Sequence, residues 1–416
     1  MTRQKPLRHD GRDYLTTAQV ARRLGVKEQT IYAYVSRGVL VSTRIEGIVG
    51  SLFAADEIEK LADRDGARRA PGGAVERIRT QITLQDNGVL YYRGVSAAEL
   101  ATVDFERVAQ FLWTADLPEH AHFRSDAAVV ARAARASESL PENARLVDRL
   151  RMSVDVAGVC DPLRFDTEAQ SIARSAPVLI ASVVDGLVGG SGTIIPKLTV
   201  SPKATVAERL WSALTPHAPD PHGIATLNSA LVLLADHDLA ASTLAVRMAA
   251  STRANLYATI AAGLGVMDGP YHGAATSRAY RFLDAAVEDP LGALGVRLRD
   301  GERIPGFGHV IYSNEDPRAE FLLARMRDRS DPRATRIVAA AQQIIDHMAE
   351  RRDLLPNSDF ALAVVAHGLG LRPDAPEAIF AIARMAGWVA HALEEYQEEG
   401  LRFRVPGVYT GVRPHR

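Results

Sequence analysis

The chain holds a single cysteine, Cys160, in 416 residues. One thiol cannot close an intramolecular disulfide, build a cysteine zinc cluster or run a dithiol redox cycle, so a reducing, cytoplasmic setting is expected and no metal site. Net charge is scarce too: 49 Lys and Arg face 50 Asp and Glu, a formal −1. A protein that coats a polyanion over its whole surface needs a basic excess, so any contact with nucleic acid must be local. Long apolar runs are also missing. Ala176–Val184 and Ala230–Ala235 stop at Asp185 and Asp236, short of the roughly 20 residues that cross a bilayer. Met1 to Asp13 is polar and basic without an apolar centre, so neither a signal peptide nor a membrane partner is expected. Internal repeats and low-complexity tracts are absent from the sequence.

What is present is ordinary globular composition, 47% hydrophobic and 24% charged. At about 150 residues per domain the length suggests two or three domains. Residues 1–65 read as a separate unit, with residues 1–13 left open to disorder. Thr16 and Gln19 stand at capping-box spacing and open a helix packing on Val20 and Leu24, which Gly25 stops. A second amphipathic segment, Lys27 to Arg37, places Ile31 and Val35 inward and leaves Lys27, Gln29, Thr30, Tyr34 and Arg37 mostly outward. Val39–Ile45 and Ile48–Phe53 suggest a small hairpin hinged at Glu46-Gly47, and Ala54–Arg64 a third helix.

The stretch YLTTAQVARRLGVKEQTIYAYVSRGVL resembles a winged helix-turn-helix of the MerR or excisionase type. The resemblance implies DNA as a partner, contacted by Lys27, Gln29, Thr30, Tyr34 and Arg37. The segment is only mildly basic, and a structural or protein-docking module is the other reading. A linker follows over residues 66–75, where charges, Pro71 and paired glycines cluster. Beyond it, 3.6-residue periodicity dominates, apart from a hairpin expected at Ile82–Leu84 and Val89–Tyr91 around Asn87-Gly88.

Titratable groups beside Gly or Pro form four clusters in the C-terminal half: ADHDLAAST with His237, GPYHGAAT with His272, IPGFGHVIYSNEDPR with His309 and Arg318, and PNSDF with Asp359. Arg384 in ARMAGWVAH and Arg404 in LRFRVPGVYTG add guanidinium groups. Taken singly, each His is a loop residue and each Arg a snorkelling or surface charge. Taken in order, together with LQDNGVLYYRGVSAAELA, the set resembles the citrate synthase family from Gln81 to Val412.

That resemblance implies a mainly α fold, with a large helical domain over 76–274 and 371–416 and a small one over 275–370 that hinges shut over substrate. It implies a transferase of the tricarboxylic acid cycle that condenses acetyl-CoA, or a related acyl-CoA, with oxaloacetate to give citrate and free CoA, without a cofactor. Such chemistry removes a proton from a weakly acidic methyl group, which needs a carboxylate base and a neutral donor for the enolate. The family assigns Asp359 as base, His272 as enol stabiliser and His309 as the group polarising the ketone. It assigns the dianionic keto acid to His237, Arg318 and Arg384 of one subunit and Arg404 of the other, making a homodimer with shared sites. Gly306, Gly308 and Asn357 are expected at CoA, with Gly273 also allowing close backbone approach.

The sequence departs from the family pattern at Ala240 and Thr276, where Asn is usual, and at Val310 and Ser313, where Arg and Lys usually stand near CoA phosphates. These departures leave open a methylcitrate synthase, a citryl-CoA lyase, or a drifted homologue serving as a metabolite-responsive DNA-binding regulator.

Overall fold

The computed structural model describes residues 7–58 apart from 10, 11, 25, 46, 47 and 49, residues 78–189, and residues 201–403 apart from 202, 310, 313, 314 and 353. The chain divides into an N-terminal unit and a large unit running from Arg77 to Phe403.

In the N-terminal unit, β1 (Leu7–His9), β2 (Arg12–Thr16) and β3 (Leu52–Ala54) form an antiparallel sheet in that order. The helices are α1 (Thr17–Leu24), α2 (Glu28–Ser36) and α3, described over residues 55–58. The capping box forms as expected: the Thr16 N–H donates to Gln19 Oε1 at 2.8 Å and the Gln19 N–H to Thr16 Oγ1 at 3.3 Å. Leu15, Val20, Ile31, Leu40, Phe53 and Ile58 make the core.

Two expectations change here. Residues 7–9 and 12–13, left open to disorder, pair as strand, with Leu7 opposite Tyr14. Among the described residues the hairpin expected from Val39–Ile45 and Ile48–Phe53 shrinks to one bridge, Thr43 to Leu52, and β3 pairs with β2 instead; its expected hinge, Glu46-Gly47, lies outside the described residues. Only Leu40 and Ile45 of that arm are buried, a spacing of five that does not match the two-residue period of a strand face.

The large unit opens on β4 (Thr83–Asp86), β5 (Val89–Tyr92) and β6 (Val95–Ser96). Asn87 and Gly88 both take positive φ, 50° and 80°, as the two-residue turn between β4 and β5 requires. Helices then follow without further strands among the described residues: α4 (Ala97–Leu100), α5 (Phe105–Thr114), α6 (Ala127–Glu138), α7 (Leu146–Cys160), α8 (Ala169–Gly189), α9 (Val206–Leu214) and α10 (Pro221–Leu234). Next come α11 (Ala241–Ser251), α12 (Leu256–Met267), α13 (Ala274–Ala286), α14 (Pro290–Arg299), α15 (Pro317–Arg327), α16 (Pro332–Arg352), α17 (Ser358–Gly368) and α18 (Ala375–Tyr396).

The axis of the unit is α18, buried all round from Ala375 to Leu393 and packed by α5, α7, α8, α10, α11, α12, α13 and α17. A helix apolar on every face belongs inside a large core. Among the described residues one helix, α8, is long and apolar enough to cross a membrane over Ala169–Val188, so the expectation drawn from uninterrupted runs understated it. Ile180, Ala181, Val183 and Val184 of α8 are fully buried against α6, α7, α9 and α18, the environment of a core helix.

The hairpin reaches this core through Tyr92. Its fully buried hydroxyl lies 3.0 to 3.1 Å from the carbonyls of Val232, Leu233 and Asp236 and accepts from the Asp236 N–H at 3.3 Å. Its single proton serves one of these carbonyls at a time, and the Val232 carbonyl also accepts the Ala235 N–H at 3.2 Å, so Tyr92 ties the hairpin to the end of α10.

Candidate active site

A cleft of about 710 Å³ in the large unit is lined by His237, His272, His309, Arg318, Asn357, Asp359 and Arg384, together with Gly308. Residues far apart in the sequence thus share one cavity. Of the other expected site residues, Gly306 does not line the cleft and Arg404 falls outside the described residues, as do the departures Val310 and Ser313.

The keto-acid side is built at the starts and ends of helices. His237 follows α10, is buried, and its Nε2 lies 3.0 Å from the Tyr312 hydroxyl. Burial, with the nearby guanidinium groups of Arg318 and Arg384, holds this imidazole well below its ordinary pKa. Arg318 sits in the first turn of α15, where Asp316 caps the helix and takes Nε at 2.9 Å and Nη2 at 2.8 Å. Burial alone would raise the Asp316 carboxyl, but Arg318 outweighs it and the net shift is downward. Arg384, in the middle of α18, is 1% exposed; its Nε donates to the Leu234 carbonyl at 3.0 Å and its guanidinium lies 4.8 Å from the Phe380 ring centre. Among the described residues neither Arg318 Nη1 nor the two Nη nitrogens of Arg384 have a protein hydrogen-bond partner, so the Arg384 fork and one Arg318 nitrogen stay available to a carboxylate.

Burial keeps both remaining histidines neutral. His309 Nδ1 accepts the N–H groups of Ile311 at 3.0 Å and Tyr312 at 3.3 Å, while its Nε2 lies 3.4 Å from Arg318 Nη2. Burial, then Arg318, lowers its pKa. His272 sits in the turn before α13, its Nε2 2.6 Å from Ser242 Oγ in the first turn of α11. Burial, then Arg384, brings its pKa down to about 4.

Asp359 is in the first turn of α17, partly open to the cleft yet deep in the protein. Burial raises its pKa to about 6; Arg318 and Arg384 limit the rise and Asp316 adds to it. Asn357 caps the same helix, accepting the Asp359 N–H at 2.9 Å and donating to the Gly308 carbonyl at 3.0 Å. Most of its amide is therefore committed to tying the 306–309 turn to the base helix. Gly306 makes that junction sterically feasible: its φ is +81°, and a Cβ there would meet Phe360 Cβ at 2.6 Å and Phe360 N at 2.9 Å.

The sequence reading missed Tyr312, Asp316 and Ser242. Asp316 carried a signal, since Asp-Pro ahead of an apolar pattern marks a helix start. The departures fall unevenly: Ala240 lines the cleft, whereas Thr276 is fully buried, bonded to the Gly273 carbonyl at 2.8 Å, and does not line it. The mouth carries one expected kind of charge from an unexpected place, Arg303, which is exposed and lines the cleft.

On the N-terminal unit, Lys27, Gln29 and Arg37 are exposed, as expected for an outward face. Thr30 and Tyr34 are half-buried, and Tyr34 packs on the core with the Arg37 guanidinium 5.8 Å from its ring centre. Tyr32, 58% exposed, takes the outward place instead.

Residues 73–405 match the family described as Citrate synthase, C-terminal domain, and residues 14–65 match a Helix-turn-helix domain. Citrate synthase 2 of Bacillus subtilis is 30% identical over 365 residues, covering 83% of this chain and 96% of that one. The 2-methylcitrate synthase 2 of Corynebacterium glutamicum is 29% identical over 343 residues, covering 76% and 88%. The crystal structure of citrate synthase from Thermotoga maritima MSB8 aligns at a TM-score of 0.66 with 25% identity, covering 84% of this chain and 97% of that one. A ternary complex of Thermoplasma acidophilum citrate synthase with carboxymethyl coenzyme A and oxaloacetate shares the fold, at a TM-score of 0.70 and 24% identity over 82% and 96%.

Proposed function

Because the chain belongs to the citrate synthase family and is an enzyme of that type, we propose that it condenses an acyl-CoA, acetyl-CoA or a close relative, with oxaloacetate to give citrate and free CoA. The observation that carries this reading is the convergence of Asp359, His272 and His309 on one cleft with two buried arginines. The Asp359 carboxylate takes the methyl proton of the thioester, and the neutral His272 stabilises the enolate. His309 polarises the ketone that the enolate carbon attacks, and water then hydrolyses the resulting citryl-CoA thioester to release citrate and free CoA. Arg318, Arg384 and His237 hold the carboxylates of the keto acid. Gly308 and Arg303 face the CoA end of the cleft.

A shared homodimeric site fits the surface as well as the family. The end of α7 and the turn after it expose Val159, Leu163 and Phe165, at 75%, 71% and 71%, and Leu163 and Val178 line one groove between α7 and α8. Apolar exposure of this kind suits a second copy, whose Arg404 would complete the keto-acid pocket.

The experiment is release of free thiol from acetyl-CoA and from propionyl-CoA, each with oxaloacetate, in wild type and Asp359→Ala. Activity with propionyl-CoA exceeding that with acetyl-CoA would move the assignment to a methylcitrate synthase, and cleavage of citryl-CoA to acetyl-CoA and oxaloacetate to a lyase. No turnover with any donor would remove the enzymatic reading.

A second role is favoured by the exposed face of α2. We propose that residues 14–65 bind DNA through Lys27, Gln29, Tyr32 and Arg37, so that the dimer acts also as a metabolite-responsive regulator in the cytoplasm. Binding to DNA from the region upstream of its own gene should weaken with salt and with Lys27 and Arg37 substitution. Undetectable binding at low salt would leave a docking module.

A further inference from the structure

Behind the keto-acid wall lies a buried polar chain that the proposed chemistry does not use. Asp236, fully buried and next in sequence to His237, accepts on one oxygen, Oδ2, from Thr83 Oγ1 at 2.5 Å, from the Asp238 N–H at 3.2 Å and from His391 Nε2 at 3.2 Å. The direction of the last bond is fixed from the other side of the ring. Arg247 Nε lies 3.0 Å from His391 Nδ1, and a guanidinium nitrogen only donates, so Nδ1 accepts and the ring proton sits on Nε2, facing Asp236. Arg247 is itself fully buried and held by Glu394 and Glu395.

His391 and Arg384 stand seven residues apart on α18, two turns along one face. Asp236 and Leu234, which meet them, stand two residues apart at the end of α10. The two helices are thus pinned to each other at two points, one of which is a substrate-binding group. Asp236 Oδ1 has no hydrogen-bond partner and abuts Gly387, where a Cβ would come within 2.4 Å of it, so the carboxylate is seated by close contact as well as by bonds. The field of Asp236 also reaches Arg384 directly.

We propose that Arg247, His391 and Asp236 form a positioning relay for keto-acid binding, holding α18 in register with the His237 turn so that Arg384 and His237 grip one dianion. The inference rests on the proposed keto-acid site. A filler role would respond to volume and folding alone; the relay demands one donor and one acceptor at position 391.

The test compares wild type, His391→Gln, His391→Leu and Thr83→Val by oxaloacetate titration calorimetry, by the KM for each substrate and by thermal unfolding. Glutamine keeps an amide donor for Asp236 and a carbonyl acceptor for Arg247, so its oxaloacetate Kd should stay within about threefold. Leucine should weaken oxaloacetate by roughly tenfold to 100-fold, the loss of a charge-assisted buried bond, while the acyl-CoA KM at saturating keto acid stays put. Thr83→Val, which removes one Asp236 donor without touching α18, gives a smaller shift of the same kind and covers the case in which the leucine variant does not fold. Equal oxaloacetate affinity in folded wild type, leucine and valine variants overturns the relay alone. Absence of oxaloacetate binding by wild type removes the keto-acid site and the relay with it.

Discussion

Asp316 holds Arg318 by two bonds, 2.9 and 2.8 Å, and the same carboxylate accepts the Ser358 N–H at 3.0 Å. One side chain therefore places a keto-acid anchor at the start of α15 and the base-bearing first turn of α17. Asp316→Asn keeps the shape but loses one acceptor and the charge opposite a buried guanidinium. The expected outcome is a drop of about 10²-fold in kcat/KM, shared between a raised oxaloacetate KM and a lowered kcat. Steady-state kinetics in both substrates check it; a change confined to KM would show that the base helix does not depend on this carboxylate.

The Asp359 carboxyl, raised to about 6 by burial, must be ionised to act as base. The kcat/KM for acyl-CoA should then fall about tenfold per pH unit below 6. His272, brought down to about 4, stays neutral through that limb and adds no second bend. Stability moves the other way. Between the ordinary carboxyl value of 3.8 and about 6 the native state binds more protons than the unfolded chain, so stability declines as pH rises through this window, and the deficit persists at pH 8. Asp359→Asn should abolish activity yet raise Tm by a few degrees at pH 8, the difference closing below pH 4. Parallel melts of the two proteins across pH measure this.

Gly306→Ala should damage the site through backbone alone. At φ +81° an added Cβ meets Phe360 Cβ, Cα and N at 2.6 to 2.9 Å, in the turn that carries Asp359. Strain of this kind costs about 1–3 kcal/mol, and relief by shifting α17 misplaces the base. The expected result is a lower Tm together with a kcat loss of about 10²-fold. Retained kcat with only a lower Tm would show that the turn relaxes away from the cleft.

How far the sequence could be read depended on whether a residue's role was local. The capping box at Thr16 and Gln19 and the turn at Asn87-Gly88 are properties of a few neighbouring residues, and both form as expected. The Ser242 hydroxyl meets His272 and the Tyr312 hydroxyl meets His237, 30 and 75 residues away, and nothing in their own neighbourhood announces either contact. Taken singly, Arg384 reads as a surface or snorkelling charge. The signal against that was the apolar sequence on every side of it, MAGWVAHAL following and AIFAIA preceding, which only a core helix tolerates. The strand at Leu7–His9 was illegible because three residues of a polar, basic arm carry no period of their own; pairing to Arg12–Thr16 defines them.

Ile31→Ala tests whether the two units carry separate functions. Ile31 is fully buried among Leu15, Val20, Ala21, Leu40, Phe53 and Ile58, the core of the N-terminal unit. Truncating an isoleucine in a core costs about 2–5 kcal/mol, and a domain of this size has only about 3–8 kcal/mol in total. The substitution should therefore unfold the N-terminal unit or bring it close to unfolding, while the cleft and its kinetics stay within twofold of wild type. Calorimetry should show a low-temperature transition moving down or vanishing and the main transition unmoved, and DNA binding in a low-salt gel shift should go with it. A parallel fall in kcat would mean that the small unit supports catalysis, and unchanged DNA binding would mean that the contact lies elsewhere on the chain.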